Sequence, residues 1–417
     1  MNRQYAIPAF LIVISMVPCI GAQDSSRGGT QLDPIQSYLQ PLVQNHTLAG
    51  AVTLVANRDG VVYLKAVGDR DVAAKASMAT DDMFWIASTS KPMTATAFMM
   101  LVDEGKINLN DPVEKYLPEF KGQMVNLTHA SAATGVPGAA GSQNSPQLVP
   151  ANHPILVREI LSHTSGLPFR SSVQPGVLDG LPLKDAVRSF AAEPLIFQPG
   201  TSYSYSNEGL NTAARIIEVV SGMSYEQFMQ ERLFNPLGMK ETTFWPTAEQ
   251  VKRLAKSYKL DPQTKGLQEI TIDQLTYPLN DRQHRFPMPA GGLFSTAEDV
   301  SKFCRMILNG GTLNGKRYVS PESLHLMTST QNHGMGGTNY GLGWSVSDSG
   351  FGHGGAFKNS MEINTSKGWI LIFMVQQAGP WGTPDGDTIG PRLARFADEL
   401  IVNPTNIPKP SDTSDRH

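Results

Sequence analysis

The distribution of strand-like segments along the chain is the feature that most constrains its fold. Near the N-terminus, "AGAVTLVANRDGVVYLKAVG" (49–68) has the pattern of a β-hairpin that turns at Arg58-Asp59-Gly60. The C-terminal third contains short apolar runs separated by Gly, Asn and Ser turns, among them "GFGHGGAF" and "GWILIFMVQQ", as in an antiparallel meander. The middle third is mainly helical in its periodicity. This pattern predicts an α/β fold with an antiparallel sheet built from both chain ends, flanked by helices, with an inserted, mainly helical subdomain.

The first residues predict export. Arg3 supplies a short positive start, Ala6 to Val17 form a mostly apolar run, and Gly21-Ala22 provide a small-residue exit. We therefore expect a signal peptide over residues 1–22 and a periplasmic or secreted protein. The apolar run is too short to span a bilayer comfortably, and no later stretch reaches the roughly 20 apolar residues that a span needs. No integral membrane segment is expected after cleavage.

The remainder of the chain has the pattern of one large domain. After a polar linker (23–30), the domain is expected to cover 31–402, with the helical subdomain at about 91–290. Within it, 122–154 is rich in Gly, Ala, Ser and Pro without a sustained period, which predicts a surface excursion. The polar tail, 403–417, is expected to be disordered.

Composition excludes several classes of function. The 417 residues are 40% hydrophobic with a formal net charge of −3 and no block of like charges, so no nucleic-acid partner is predicted. Cys304 is the only cysteine left after cleavage, which excludes an intramolecular disulfide, and its apolar neighbours predict a buried thiol. The nine histidines show no ligand spacing, so no metal or other cofactor is predicted. We expect a small-molecule substrate.

The segment "FWIASTSKPMTAT" (84–96) places Ser88 three residues before Lys91, at the predicted start of a helix. Residues i and i+3 share a helix face, so the lysine amine can reach the serine hydroxyl within one turn. To accept a proton, Lys91 must be neutral part of the time, which requires burial or neighbouring positive charge to lower its pKa. The structural alternative is that Ser88 only caps the helix.

Two further motifs also occur once each. Tyr205 and Asn207 form the only YxN in the chain, and His353-Gly354-Gly355 opens a predicted strand edge where a ligand backbone could come close. Their structural alternatives are a strand end with an Asn cap and a glycine-rich turn. No serine lies in a GxSxG elbow. Together the three motifs favour a serine nucleophile that is activated by lysine and tyrosine.

With these motifs in place, the chain resembles the class C β-lactamase-related serine hydrolases, which include β-lactamases, DD-peptidases, D-aminopeptidases and esterases. The resemblance runs from about Asp33 to Ile401. It also includes "REILSHTSGLP" (158–168), "PAGGLFSTAEDVSKF" (289–303) and "YGLGW" (340–344). It implies a serine β-lactamase/DD-peptidase-like fold.

The resemblance also implies a role for each motif residue. Ser88 would be the acylated nucleophile, activated by Lys91, and Tyr205 would act as general base or proton relay. Asn207 would position Lys91 and the substrate, and the oxyanion hole would use the backbone N–H groups of Ser88 and Ala356. Whether Lys91 or Tyr205 takes the first proton remains open at this point.

The third motif departs from many β-lactamases of this class, which have Lys-Thr-Gly where this chain has His353-Gly354-Gly355. The histidine is mostly neutral near pH 7, so the resemblance implies weaker recognition of a substrate carboxylate. This favours an esterase-like enzyme. A D-alanyl carboxypeptidase or D-aminopeptidase, a β-lactamase, and a non-catalytic protein that binds peptidoglycan fragments remain as alternatives.

The segment "LSHTSGLP" (161–168) contains a second serine next to a histidine, Ser162 and His163. Adjacent residues do not face each other usefully on a helix or a strand. We therefore interpret this segment as a structural turn and not as a second catalytic pair.

Overall fold

A computed structural model of the protein describes residues 33–130, 147–173, 176–381 and 384–402. The predicted signal peptide, the linker, the polar tail and the central part of the predicted excursion lie outside these described residues. The other expectations can be compared with the structure directly.

The end residues of the longer helices show why these sequences are helical. Helix α1 begins after Asp33, whose carboxylate accepts hydrogen bonds from the first free backbone N–H groups. Helix α6 is capped by Ser206 and closed by Gly222 at a φ of 72°, a conformation that glycine adopts without strain. The helices are α1 Pro34–Gln44, α2 Ser90–Asp103, α3 Leu127–Ala130, α4 Val157–Leu161, α5 Leu183–Ala191, α6 Asn207–Ser221, α7 Tyr225–Met229, α8 Asn235–Leu237, α9 Ala248–Lys252, α10 Ala297–Leu308, α11 Pro321–Thr328, α12 Pro384–Asp387 and α13 Ile389–Val402.

The strands of the main sheet lie near the two ends of the chain, as predicted, and further short strands lie between them. The strands are β1 Gly50–Ala56, β2 Val61–Asp71, β3 Ala76–Ser77, β4 Phe84–Trp85, β5 Met124–Asn126, β6 Leu148–Pro150, β7 Ser257–Leu260, β8 Leu267–Ile270, β9 Phe294–Ser295, β10 Thr312–Leu313, β11 Lys316–Arg317, β12 Ser345–Ser347, β13 Gly350–Gly354, β14 Ser360–Asn364, β15 Trp369–Met374 and β16 Gln377–Ala378.

The main sheet joins the two chain ends. Within the described residues it has seven strands in the order β12-β13-β14-β15-β1-β2-β3. The junction is the antiparallel pairing of β1 with β15, which places Val52 opposite Met374 and Ala56 opposite Ile370. The hairpin of β1 and β2 and the meander of β12 to β15 are also antiparallel, so the predicted sheet is confirmed.

Both faces of this sheet are covered by helices. Along β15, Trp369, Leu371 and Phe373 belong to the apolar cluster that includes α1 and α13, whereas the alternate residues belong to the cluster that includes α2 and α10. This explains why "WILIFM" is apolar throughout and does not alternate. Cys304 in α10 is buried, as predicted.

The predicted excursion at 122–154 contains regular structure at its described ends. Strands β5 and β6 pair antiparallel, and β5 also forms an isolated bridge with Leu195. The β5–β6 pairing joins the two ends of the segment and the bridge to Leu195 comes from outside it, so local periodicity could not reveal either contact. None of the helices in the described ranges combines the length and the apolarity needed to cross a bilayer.

Candidate active site

Ser88 lies in a short 3₁₀ turn, Ala87–Thr89, which leads directly into α2. Ala87 before it has a φ of 45°, a left-handed conformation that is strained for a residue with a side chain and that often marks functional sites. The N-cap position of α2 is Thr89, which makes no side-chain capping bond, and the Ser88 hydroxyl contacts Lys91. The capping alternative for Ser88 is therefore not what the structure shows.

Lys91 is fully buried at the start of α2 and is held by three oxygen atoms. Its Nζ lies 3.1 Å from Ser88 Oγ, 2.7 Å from Asn207 Oδ1 and 2.7 Å from the backbone oxygen of Ala290. No carboxylate pairs with it in the described part of the chain. Burial without a counter-charge holds the pKa of this lysine well below its usual value. Lys91 therefore loses its proton at a lower pH than an exposed lysine does.

Helix α6 fixes two of these contacts. Asn207 is the first residue of α6, and Asn211 lies one turn further along the same face. The Asn211 Oδ1 accepts a hydrogen bond of 3.0 Å from the backbone N–H of Ala290, the residue whose carbonyl contacts Lys91. The helix therefore positions the lysine partners both directly and through Ala290.

Tyr205 lies next to Ser88 and Lys91 and is partly buried. The Lys91 Nζ lies 4.7 Å from the centre of its ring. Burial raises the pKa of the Tyr205 phenol above its usual range, and a hydrogen bond with the Ser88 hydroxyl lowers it only in part. Tyr205 is therefore a neutral phenol at physiological pH.

His353 on β13 has both ring nitrogens engaged. Its Nδ1 lies 2.8 Å from the Gly354 carbonyl oxygen, which can only accept a hydrogen bond, so the ring proton is on Nδ1. The unprotonated Nε2 therefore accepts a hydrogen bond from the Tyr340 hydroxyl at 3.0 Å. Burial is the main cause that lowers the pKa of His353 to about 3, with Lys91 adding to it. The imidazole is a neutral part of the wall, in agreement with the neutral side chain expected from the sequence.

Removing the Tyr340 hydroxyl should expose how much this contact stabilises the fold. We expect Tyr340→Phe to lower the free energy of unfolding by about 1–3 kcal/mol, because the buried Nε2 of His353 loses its donor. Urea unfolding at pH 7 measures the change. Tyr318→Phe is the matched control, since this buried tyrosine makes no hydroxyl hydrogen bond in the described part of the chain. Equal losses in both variants would contradict the expectation.

The oxyanion pair predicted from the resemblance lies at one edge of the same site. A Cβ on Gly355 would come within 2.7 Å of the Ile86 carbonyl oxygen, so glycine is needed for this turn to approach the segment before Ser88. Neither the Ser88 nor the Ala356 backbone N–H donates to a partner among the described residues. Both remain available to an oxygen of a bound substrate.

Asn359 fixes that turn against the serine segment, a role the sequence analysis missed. Its Nδ2 donates to the Trp85 carbonyl at 3.0 Å, and its Oδ1 accepts from the Thr89 hydroxyl at 3.0 Å. Its backbone oxygen accepts from the Gly355 N–H at 2.7 Å. The residue is buried and lies four positions after Gly355, but no local pattern distinguishes it from an ordinary turn asparagine.

The segment at 161–168 is not a second catalytic pair, as interpreted from the sequence. Ser162 Oγ donates to the Arg158 carbonyl at 2.9 Å, while His163 Nδ1 accepts from the backbone N–H of Ser206 at 3.1 Å. The His163 ring packs 4.5 Å from the ring of Tyr205 and supports it. This support was also missed, because only the fold brings His163 next to the YxN motif.

These residues surround a cleft of about 450 Å³. Most of the predicted site residues line this cleft. The exceptions are Lys91, which is buried beside Ser88, and Gly355, whose lack of a side chain lets its turn approach the segment before Ser88. No group of three His, Cys, Asp or Glu side chains is placed to hold a metal ion within the ranges the structure describes. The lining residues are Trp85, Ala87, Ser88, Phe169, Arg170, Tyr205, Asn207, Gln274, Met288, Gly291, Ser345, His353, Gly354 and Ala356.

The sequence of this chain matches a known protein family and individual relatives within it. The family model described as Beta-lactamase matches residues 35–394. Protein Rv1367c of Mycobacterium tuberculosis is 34% identical over 307 residues, which cover 71% of this chain and 71% of that protein. Esterase EstB of Burkholderia gladioli is 26% identical over 367 residues, which cover 81% of this chain and 82% of the esterase.

A solved structure described as "EstCE1, a hydrolase with promiscuous acyltransferase activity" has a TM-score of 0.71 at 21% identity. The match covers 88% of this chain and 98% of that one. The structural likeness confirms the fold that the sequence predicted.

Proposed function

Because this chain belongs to the Beta-lactamase family and is a serine hydrolase of that family, we propose that it cleaves ester bonds of small substrates through an acyl-enzyme on Ser88. The observation that carries this proposal is the triple contact of the buried Lys91 amine with Ser88, Asn207 and Ala290. That contact supplies a base for the serine without a histidine or a metal.

The hydrogen-bond pattern favours Lys91 as the first base. The Asn207 amide oxygen and the Ala290 carbonyl can only accept, so a neutral amine gives them its two N–H groups and keeps its lone pair for the Ser88 hydroxyl. Tyr205, with a raised pKa, would have to lose a proton that it holds firmly at neutral pH. We assign the first proton transfer to Lys91 and a proton-relay role to the neutral Tyr205.

The reaction then proceeds in two halves. The Ser88 proton moves to Lys91 as Oγ bonds to the ester carbonyl carbon, and the backbone N–H groups of Ser88 and Ala356 stabilise the oxyanion. The ester C–O bond breaks, and the leaving alkoxide receives the proton from the Lys91 ammonium by way of Tyr205. In the second half a water molecule gives a proton to the same relay as its oxygen bonds to the acyl carbon. The bond from that carbon to Ser88 Oγ then breaks, the relay returns the proton to Oγ, and the acid is released.

The third motif and a curated relative support an ester substrate. His353 is neutral, and both of its nitrogens are already bonded, so this strand offers no cation to a substrate carboxylate. The similarity to an esterase, EstB, agrees with this choice.

Export is part of the proposal and rests on the N-terminal pattern of Arg3, the apolar run and Gly21-Ala22. N-terminal sequencing of the protein recovered from the periplasm or medium of its source cells tests it. A retained Met1 would contradict export by a cleaved signal peptide.

A substrate panel tests the proposed activity. We expect kcat/KM for 4-nitrophenyl butyrate to exceed that for a chromogenic cephalosporin, corrected for leaving-group reactivity, by about tenfold to a hundredfold. A missing charge-assisted hydrogen bond at the third motif accounts for a difference of this size. A D-alanyl-D-alanine peptide is the third substrate. Preference for the peptide or the cephalosporin would replace the esterase assignment with a peptidase or β-lactamase. Binding of peptidoglycan fragments without turnover would indicate a non-catalytic binding protein.

A further inference from the structure

The charges on the cleft lining are unbalanced. Among its lining residues there is no Asp or Glu, and Arg170 is the side chain that carries a permanent charge. Lys91 lies beneath the lining with a lowered pKa, and His353 is neutral in the wall. An anionic group entering this cleft would therefore meet one exposed cation and no opposing carboxylate.

Arg170 lines the cleft and has no acidic partner among the residues that the structure describes. It is exposed on the segment that follows the "LSHTSGLP" turn, and no ion pair or hydrogen bond joins its side chain to any residue in the described ranges. By contrast, Arg215, Arg232 and Arg253 each pair with a glutamate. An exposed arginine is usually only solvated, but this one also lies on the wall of the catalytic cleft.

An aromatic platform connects Arg170 to the reacting groups. Its guanidinium carbon lies 5.7 Å from the centre of the Phe169 ring, and that ring stacks on Tyr205 at 6.3 Å with an angle of 26°. Phe169 is 40% exposed, which is unusual for so large an apolar side chain. A ligand that combines an apolar portion with an anionic end would cover the ring and meet the guanidinium.

We propose that Arg170 binds a carboxylate carried by the substrate, so that carboxylate-bearing esters are preferred over neutral esters of the same size. This inference rests on the proposed esterase function and names its substrate class. It places the anion near Phe169 and Tyr205, away from the His353 strand, because the third motif has no cation to offer. Arg170 acts on specificity and takes no part in proton transfer.

Esters that differ only in charge test the inference. On the acyl side, mono(4-nitrophenyl) adipate and 4-nitrophenyl hexanoate have acyl chains of equal length, and 4-nitrophenyl 6-aminohexanoate supplies the opposite charge. On the alcohol side, 4-acetoxybenzoate and 4-acetoxybenzamide form the matched pair. In at least one pair we expect Arg170→Gln to lower the anionic-to-neutral ratio of kcat/KM about tenfold, mainly through KM. The hydrolysis rate measured with Ser88→Ala is subtracted as background. Added salt should weaken the preference of the wild type for the anionic ester.

Two variants separate recognition from general charge effects. Arg170→Lys keeps the charge but loses the planar pair of donors, so part of the preference should remain. Arg392→Gln removes an exposed charge on α13, across the sheet from the cleft, and should leave the ratio unchanged. The inference would be overturned if Arg170→Gln left the anionic-to-neutral ratio of kcat/KM unchanged in both pairs. It would also be overturned if Arg392→Gln changed that ratio as much as Arg170→Gln does.

A binding measurement keeps this test independent of turnover. Calorimetry with Ser88→Ala compares monobenzyl adipate with benzyl 6-hydroxyhexanoate, and Arg170→Gln in that background should weaken only the adipate, about tenfold. Equal adipate binding with and without Arg170 overturns the inference. Absence of Ser88-dependent hydrolysis for every ester instead rejects the proposed function, so the two failures are distinguishable.

Discussion

Replacing Ser88 with alanine should lower kcat for 4-nitrophenyl butyrate by about a thousandfold or more, to near the uncatalysed rate. The hydroxyl is the only group of the site that we assign to form a covalent bond with the substrate. When residues act together as one catalytic unit, removing any one of them abolishes most of the activity. The variant should fold normally, because the Ser88 side chain makes no helix-capping bond and lies at the cleft. Steady-state kinetics and circular dichroism measure the two properties.

Ser162→Ala is the matched control for this result. Ser162 lies next to a histidine but donates to the Arg158 carbonyl, so its loss should change kcat less than about threefold. Labelling with a fluorophosphonate probe gives a second readout: the wild type and Ser162→Ala should react, and Ser88→Ala should not. Labelling that persists in Ser88→Ala would show that another residue is the nucleophile.

Replacing Lys91 with methionine should lower kcat by about a thousandfold, more than Tyr205→Phe, which should lower it by about a hundredfold. The amine contacts Ser88 directly and has a lowered pKa, whereas the phenol holds its proton and serves as a relay. In the wild type, kcat/KM should rise with pH as Lys91 loses its proton, and should level off well below pH 10.5 because burial lowers that pKa. Tyr205→Phe should keep this rise, and Lys91→Met should lose it.

The free energy of unfolding of Lys91→Met shows whether the variant has lost only catalysis or has also lost its fold. Between the lowered pKa of Lys91 and its usual 10.5, the unfolded chain binds a proton that the folded chain does not, so this residue makes stability increase with pH in that range. Methionine removes the proton linkage and the burial of a polar amine. The variant also leaves Asn207 Oδ1 and the Ala290 carbonyl without their donor, which offsets part of this gain. We therefore expect the free energy of unfolding at pH 7 to stay within about 3 kcal/mol of that of the wild type. If the pH-dependent rise in kcat/KM disappeared in Tyr205→Phe and remained in Lys91→Met, Tyr205 would be the first base.

The sequence pointed to candidate reacting groups that the fold brings together, because their signals are local. The i, i+3 spacing of Ser88 and Lys91 already implies contact across one helical turn, and the structure gives 3.1 Å. Tyr205 and Asn207 were found as a motif, although nothing in their own spacing locates Lys91. The neutral state of His353 followed from its usual pKa, but its bond to Tyr340 did not.

Several contributors had no detectable signal in the sequence. His163 was assigned only to a turn, yet its ring supports Tyr205, and Asn359 connects the HGG turn to the serine segment. Phe169 and Arg170 follow a recognisable turn but match no motif. Each gains its role from a neighbour that the fold supplies.

By itself, the sequence determined the antiparallel sheet from both chain ends and pointed to the candidate reacting groups, because periodicity and helical spacing act over a few residues. Only the tertiary structure decided the protonation states and the charge of the cleft. Lys91 meets oxygens that lie 116 and 199 positions away, and its burial arises from these distant segments. A pKa depends on the solvent and charges around a group, and in this chain those surroundings come from parts of the chain that meet only after folding.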